Sequence, residues 1–208
     1  MAGEIQAGAY KSVVGLDSLH YALITSDTAT AYTAGTVKAL APAATLKVSG
    51  SKNTTVQYAD DGVFDSSTSD GESSVEIEVT NVPLPLAAEL TGSTFNAANG
   101  MFIEGSGGNA PEAALMFRSK KSNGKYLYVS YLKGKFALGD EEYQTLEGTP
   151  APKTRKLTFT AMQTIYKFAT AAGKTETVKS TRVDEDDTNS ATLIASWFTT
   201  VPVPATVS

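Results

Sequence analysis

The sequence of 208 residues contains no cysteine, one histidine and one tryptophan. Without cysteine the chain forms no disulfide and no thiolate metal site, so its fold must rest on burial and backbone hydrogen bonding. It has no run of 18 apolar residues, and its start is not a basic segment followed by an apolar one. We therefore expect a soluble protein with no Sec-type export signal and no membrane anchor.

Catalytic and cofactor motifs are equally scarce. The one imidazole, at His20, falls inside a strand pattern, and we interpret it as a packed structural histidine because no partner for general-base work stands out. No G-x-S-x-G motif occurs. The run Asp184–Asp187 resembles a calcium loop only in charge, since Ala195 occupies the place of the bidentate glutamate. The sequence therefore predicts neither an enzyme nor a bound cofactor or metal.

The charge balance limits the class of partner. The chain carries 22 acidic and 17 basic residues, which gives a net charge of −5. Sequence-independent nucleic-acid binding depends on Lys and Arg that displace counterions from phosphates, so this balance disfavours DNA as a ligand. DNA as a cargo stays open, because a surface past which a polyanion slides should not hold it.

Charge is also distributed in two blocks of opposite sign. One block, residues 60–78, has no base and carries Asp60, Asp61, Asp65, Asp70, Glu72, Glu76 and Glu78. The other, residues 118–135, has no acid and carries Arg118, Lys120, Lys121, Lys125, Lys133 and Lys135. Each block is compatible with an ordinary solvated face. Alternatively, the two blocks make the molecule self-complementary, so that copies stack head to tail.

Period-two alternation predicts a mainly β fold. It occurs at residues 46–49, 55–58 and 75–80, whereas residues 60–72 are so polar that they predict a long loop. Pro85 and Gly92 bracket a short apolar segment and predict a helix at about residues 84–91.

The second half of the chain continues the pattern. Asn123-Gly124 predicts a tight hairpin, and the strand that follows it is aromatic on both faces, so something besides its own core should cover it. Residues 155–168 alternate throughout. A second short helix is predicted after Asp184–Asp187, with Trp197 on its apolar side, ahead of an extended, proline-containing tail.

These elements predict one domain of mainly β class, a β-sandwich or barrel with one or two short flanking helices. Residues 1–16 are predicted to be a flexible N-terminal arm, 17–183 the β domain with its long loop at 60–72, and 184–208 a short helix with an extended C-terminal arm.

The order of these motifs resembles a known family. The sequence runs from an acidic segment around YADDG through a strand VEIEVTNV and a helix ending ELTG to the basic aromatic hairpin FRSKKSNGKYLYVSYLKGKF. It is similar to the major tail (tail tube) proteins of long-tailed siphophages, specifically the phi13-type family of phages of Gram-positive bacteria. The resemblance covers roughly residues 14–168.

The resemblance implies a structural subunit of a long non-contractile tail. In such tails, six-membered rings join their sheets into one continuous barrel, and stacked rings conduct DNA from the capsid to the host cell without binding it specifically. The partners it implies are other copies of the chain, a tape-measure protein, a tail terminator and distal tail proteins. It also implies that the protein belongs to the virion and passes through the host cytoplasm during assembly.

Two sets of site residues follow from these expectations. With four strands per subunit, twenty-four strands at about 4.8 Å spacing and about 40° tilt give a backbone diameter of roughly 45 Å, which side chains narrow by roughly 10 Å. Such a bore admits a double helix. The candidates that face an acidic lumen are Glu76 and Glu78. The candidates for ring stacking are Asp60, Asp61, Asp65, Asp70, Glu72, Lys120, Lys121 and Lys125.

Two alternatives remain open at this point. The first is the inner tube protein of a contractile tail or a secretion system, which would also form rings. The second, of another class, is a monomeric β-sandwich that acts as a binding or adhesin module. The sequence shows no cluster of exposed aromatic residues, which a binding or adhesin module would be expected to have.

Overall fold

The predicted mainly β fold is confirmed. The computed structural model describes residues 11–59, 62–105, 107–141, 143, 145, 154–171 and 173–204, and of residues 51–70 it describes the backbone alone. The strands are β1 (Val13–Asp27), β2 (Tyr32–Ala34), β3 (Lys38–Ala39), β4 (Ala43–Ala59), β5 (Gly62–Val79), β6 (Thr94–Asn96), β7 (Met101–Ile103), β8 (Glu112–Lys121), β9 (Tyr126–Leu138), β10 (Arg155–Ala161), β11 (Lys167–Ala171), β12 (Lys174–Thr177) and β13 (Ser180–Asp184). The helices are α1 (Leu84–Thr91) and α2 (Ala191–Ser196), the second after a 3-10 turn at Thr188–Ser190.

Nine of these strands form one antiparallel sheet. Its order is β2-β1-β8-β9-β10-β5-β4, with β3 added beside β1 and β13 beside β9. Strand β8 occupies one edge of β9, so β13 and β10 share the other edge: β13 pairs with residues 127–131 and β10 with residues 134–138. The hairpins β6–β7 and β11–β12 are separate two-stranded sheets.

The sheet curls around a single apolar core. Phe159 on β10 contacts both Phe136 and Tyr131 on β9, with ring centroids 4.8 Å and 6.2 Å apart. Residues from β1, β5, β8, β9 and β10 join the same cluster, together with Leu90 of α1. Strand β1 contacts β4, but no ladder joins them in the described residues, so the barrel is not closed there.

The short helix lies where the sequence predicts it. Helix α1 begins after Pro83 with Pro85 in its first turn, and it ends at Gly92, whose φ of 73° is left-handed. A Cβ at Gly92 would lie 2.3 Å from the carbonyl oxygen of Asn109, so close packing as well as conformation requires glycine there. No helix in the described part of the chain is both long and apolar enough to cross a membrane.

The prediction of a long loop at residues 60–72 is wrong. Residues 62–79 form one strand, which pairs with β4 from Ala43↔Val79 to Ala59↔Gly62, and residues 60 and 61 lie outside the described part. The two separate strands predicted at 46–49 and 55–58 are likewise parts of the continuous β4. The physical reason is that a ladder is held by backbone hydrogen bonds, which a Ser- and Thr-rich segment makes without burying apolar side chains.

The segment that covers the aromatic strand belongs to the same chain. Tyr131 of β9 faces the core, whereas Tyr128 faces the opposite side and packs on Trp197, with ring centroids 5.5 Å apart. The alternation predicted through residues 155–168 ends at Ala161, and Ile165 is 55% exposed. Trp197 and Phe198 of the C-terminal segment pack on Tyr128 on this second face, so the aromatic strand is buried on both sides, as predicted.

The two predicted arms lie only partly within the described residues. Residues 1–10 and 205–208 are outside them, and β1 begins at Val13, inside the segment predicted as the N-terminal arm. In the C-terminal segment α2 is the predicted second helix, and Pro202 beyond it is buried. This part of the chain therefore packs on the domain up to at least Pro202.

Candidate assembly interface

One face of β4, β5 and β10 is polar and open to solvent, and we call it the open face. On β5, Val75, Ile77 and Val79 are fully buried in the core, so the intervening side chains point the other way. Glu76 is exposed and Glu78 is half-buried on that side. The two predicted lumen residues therefore lie next to each other on the face away from the core.

Each of these glutamates has a lysine directly opposite on a neighbouring strand. Lys47 of β4 is opposite Glu76, and Lys156 of β10 is opposite Glu78. Directly opposed residues of antiparallel strands have Cβ atoms about 4.5–5.5 Å apart. The open face is therefore not purely acidic, although the block of carboxylates along the sequence indicates an acidic face.

The same side of the sheet is covered over its other half. Residues 190–202 lie against β1 and β9, where Trp197 is fully buried and Phe198 stacks on His20 at 4.5 Å. The Nδ1 atom of His20 lies 3.1 Å from the carbonyl oxygen of Ser18. His20 is thus packed and hydrogen-bonded, in agreement with the structural role predicted for it.

The hairpin of β4 and β5 projects from the sheet as a two-stranded ribbon. Strand β10 pairs with β5 only from Ser73 to Val79, and no third described strand pairs with the rest. We call residues 51–59 and 62–72 the ribbon. With about ten residues per strand at 3.3 Å each, it extends about 30 Å. At its base the ammonium of Lys179 donates to the carbonyl oxygen of Gly71 at 3.1 Å.

Three of the five acidic stacking candidates belong to this ribbon. Asp65, Asp70 and Glu72 lie on β5, while Asp60 and Asp61 are outside the described residues. An isolated two-stranded hairpin is marginally stable in water at best, so the ribbon depends on the sheet that its two strands continue.

The basic candidates lie at the end of β8 and in the turn to β9, at residues 120–125, which we call the basic hairpin, and most of their charge is already paired inside the subunit. Lys121 is 3% exposed, and its Nζ lies 2.8 Å from Asp184 Oδ2 and 2.5 Å from Asp186 Oδ2. Lys125 also pairs with Asp186, at 3.0 Å. Lys120 and Lys125 are the exposed members of the three.

The pKa values of this cluster follow from these contacts. Burial alone would lower the pKa of Lys121, but the carboxylates of Asp184 and Asp186 outweigh burial and raise it above the ordinary value. In turn, Lys121 and Lys125 hold the pKa of Asp186 well below its usual range. The acidic run at residues 184–187 is thus a structural partner of the basic hairpin.

The ribbon and the basic hairpin lie at the same end of the sheet. Strands β5 and β9 are both antiparallel to β10, so they run in the same direction. Ala161 of β10 pairs with Ser73 and with Gly134. The ribbon precedes Ser73 and the basic hairpin precedes Gly134, so both extend beyond the same end of β10.

Among the described strands, the sheet also ends in two unpaired edges. Strand β4 is the last in the order, and residues 13–18 of β1 have a ladder only with β8 among the described strands. Large apolar side chains are exposed along these two strands: Val13 and Val14 on β1 are 51% and 64% exposed, and Val48 on β4 is 43% exposed. Open edges of this kind can pair with another chain.

A mainly β subunit with open edges and a projecting ribbon is typical of a structural protein that assembles with copies of itself. Comparison with protein families agrees: residues 20–203 match the family described as phage tail tube protein, and the chain belongs to this family. Its members are structural proteins of the virion tail that assemble into a tube, and the family is not one of enzymes. Comparison with curated proteins gives no match.

Proposed function

We propose that this protein is the tube subunit of a long non-contractile phage tail, in which six copies form a ring and stacked rings conduct DNA from the capsid to the host cell. The observation that carries this proposal is the projecting β4–β5 ribbon on a sheet with two unpaired edges. The edges supply contacts around a ring, and the ribbon supplies a contact along the tube axis.

The open face supplies the wall of the bore. Strands β4, β5 and β10, together with residues 134–138 of β9, present four strands whose outer side chains are mostly polar. Four strands from each of six copies give the roughly 45 Å barrel expected for the family. In this arrangement Glu76 and Glu78 face the lumen.

The ribbon stacks one ring on the next. Because strand ends of a barrel with tilted strands face along its axis, the ribbon and the basic hairpin with Lys120 both face the same neighbouring ring. They therefore meet the opposite end of that ring rather than each other. The acidic ribbon then approaches the start of β10, where Arg155 and Lys156 lie.

The remaining partners follow from the same proposal. The tube is built around a tape-measure protein and bounded by a tail terminator and distal tail proteins. The subunit passes through the host cytoplasm before it enters the virion tail. Membership of the phi13-type group stays a prediction.

Electron microscopy of the purified protein tests the proposal directly. We expect negatively stained rings or tubes with a central bore. A variant that lacks residues 53–69, with Lys52 joined to Asp70 through an Asn-Gly turn, should still fold. Its far-ultraviolet circular dichroism spectrum should remain that of a mainly β protein. The variant should form single rings but no tubes, because only the axial contact is lost.

A second variant distinguishes the effect of the ribbon itself from the effect of its negative charge. Replacing Asp60, Asp61 and Asp65 by Asn keeps the ribbon and removes three charges. Tubes should still form, because we expect backbone and shape to dominate the contact. Tubes of normal length from the shortened variant would show that the ribbon does not stack rings. A monomer at all concentrations would contradict the tube subunit as a whole.

A further inference from the structure

We infer that the open face is a low-adhesion surface for duplex DNA in transit, on which carboxylates opposite lysines prevent those lysines from holding phosphates. This inference rests on the proposed function, which places the open face toward the lumen. It concerns the affinity of the lumen wall for passing DNA. It differs from the expectation of an acidic lumen, because the open face carries both lysines and carboxylates.

Basic side chains are present on the face in sufficient number to bind DNA. Lys47 and Lys156 are exposed, and Lys135 of β9 is half-buried, with its Nζ 3.0 Å from Asn109 Oδ1. Lys135 is opposite Thr160, which puts it on the same face. Repeated around a closed ring, a wall with these lysines alone would release counterions and retain a passing duplex.

The strand register places a carboxylate next to each exposed lysine. Glu76 stands between Lys47 and Thr158 in one row across the sheet, and Glu78 stands between Thr45 and Lys156 in the next. The Cβ atoms of these neighbours are closer than the screening length of about 8 Å at physiological salt, so each carboxylate offsets part of the field of the lysine opposite it. A phosphate that passes meets dipoles rather than isolated charges.

A third row across the sheet adds hydroxyl groups. Ser49, Ser74 and Thr160 follow one another across β4, β5 and β10. Hydroxyls bind water and offer weak, exchangeable hydrogen bonds to a phosphate, and they carry no charge. A wall of this composition neither retains the polyanion nor opposes its entry, as a strongly acidic wall would.

Duplex DNA retention by the purified protein tests the inference. A variant with Glu76→Gln and Glu78→Gln unmasks the lysines, and we expect it to retain a labelled 30-base-pair duplex that wild type does not retain at 50 mM salt. Two added phosphate contacts predict a fall in its affinity of about tenfold between 50 and 200 mM salt. A variant with Lys47→Gln and Lys156→Gln, which removes the cations instead, should retain none.

A matched control changes the net charge equally at other positions. Glu104→Gln with Asp187→Asn also removes two negative charges, and both residues lie outside the four strands. We expect this variant to behave as wild type. If the open-face variant gains no affinity over this control, or if wild type already retains the duplex with the same salt dependence, the inference is overturned.

Micrographs of the same samples keep the two proposals apart. Retention can be measured on rings, on tubes or on single subunits, because the opposed charges belong to one chain. Absence of rings contradicts the proposed function, whereas rings whose open-face variant binds no DNA contradict this inference alone.

Discussion

Asp27 and Lys133 form an ion pair in the interior of the subunit, with 2.8 Å between Oδ2 and Nζ and with side chains that are 0% and 7% exposed. Asp27 also accepts hydrogen bonds from the backbone amides of Ile165 and Tyr166, at 2.8 Å and 2.9 Å. One carboxylate thus joins the end of β1, the middle of β9 and the connection after β10.

Replacing Asp27 by Asn should destabilise the subunit strongly. It leaves the buried ammonium of Lys133 without its main partner, which costs about 3–5 kcal/mol in comparable buried pairs. Urea unfolding at pH 7 measures the loss. Glu112→Gln is the control, since Glu112 pairs with the same Lys133 at 3.1 Å but is 37% exposed, and its loss should be under about 1 kcal/mol.

The effect of Asp27→Asn should also depend on pH. Burial alone would raise the pKa of Asp27, but Lys133 and the two amides outweigh it and hold this pKa below the ordinary value. A lowered carboxylate pKa stabilises the fold above the unfolded value of about 3.9, and the contribution is lost as pH falls through the folded value. The difference between wild type and variant should therefore be constant from pH 5 to 8 and shrink below about pH 4. A constant difference down to pH 2 would contradict this assignment.

Gly134→Ala should disrupt the centre of the sheet. A Cβ at this position would lie 2.3 Å from Cζ of Phe159 and 2.5 Å from the carbonyl oxygen of Thr160. Relief of this clash requires displacement of a core ring and a strand, at a cost of about 1–3 kcal/mol or more. Thermal unfolding measures it, and Gly105→Ala, where a Cβ would meet nothing within 4 Å, should leave the melting temperature unchanged.

Adjacent lysines on the basic hairpin should behave differently. Lys121→Met leaves Asp184 and Asp186 close together without their shared cation, so we expect lower stability at neutral pH and partial recovery near pH 4, where carboxylates take up protons. Lys120→Met should leave stability unchanged, because Lys120 is exposed. Equal melting temperatures for the two variants would show that the buried cluster contributes nothing.

Trp197→Ala should detach the C-terminal segment from the sheet. The indole is fully buried against Tyr128, and loss of a buried tryptophan costs about 3–5 kcal/mol. At about 2–4 °C per kcal/mol for a chain of this size, the melting temperature should fall by roughly 6–20 °C. Ile165→Ala, at a side chain that is 55% exposed, is the control and should change it little.

The sequence predicted correctly those strands, turns and helices that neighbouring residues determine. The alternation of Val75, Ile77 and Val79 with polar residues identified a half-buried strand, and Asn123-Gly124 located the hairpin, where Gly124 has a φ of 87°. Pro85 and Gly92 bounded α1 for the same reason. The family resemblance was confirmed at the level of the tail tube family, over residues 20–203.

The elements that were missed depend on partners far along the chain. Residues 65–72 of the ribbon have no apolar side chain by which a strand is recognised, and they form a strand by backbone pairing with β4. Charge runs were read along the chain, so the lysines opposite Glu76 and Glu78 and the aspartates around Lys121 were not connected to them. Only the register across strands shows that these charges are balanced.

The edge of β9 shared by β10 and β13 determines when a newly made subunit becomes complete. The ribosome releases β4 and β5 well before β10 and β13, because synthesis proceeds from the N-terminus. Until these late strands arrive, β5 and β9 each have an edge to which a wrong strand from a nearby nascent chain can add. Residues 155–197 thus close the edges at which an unfinished molecule can misassemble, and truncation there should produce aggregates rather than shorter tubes.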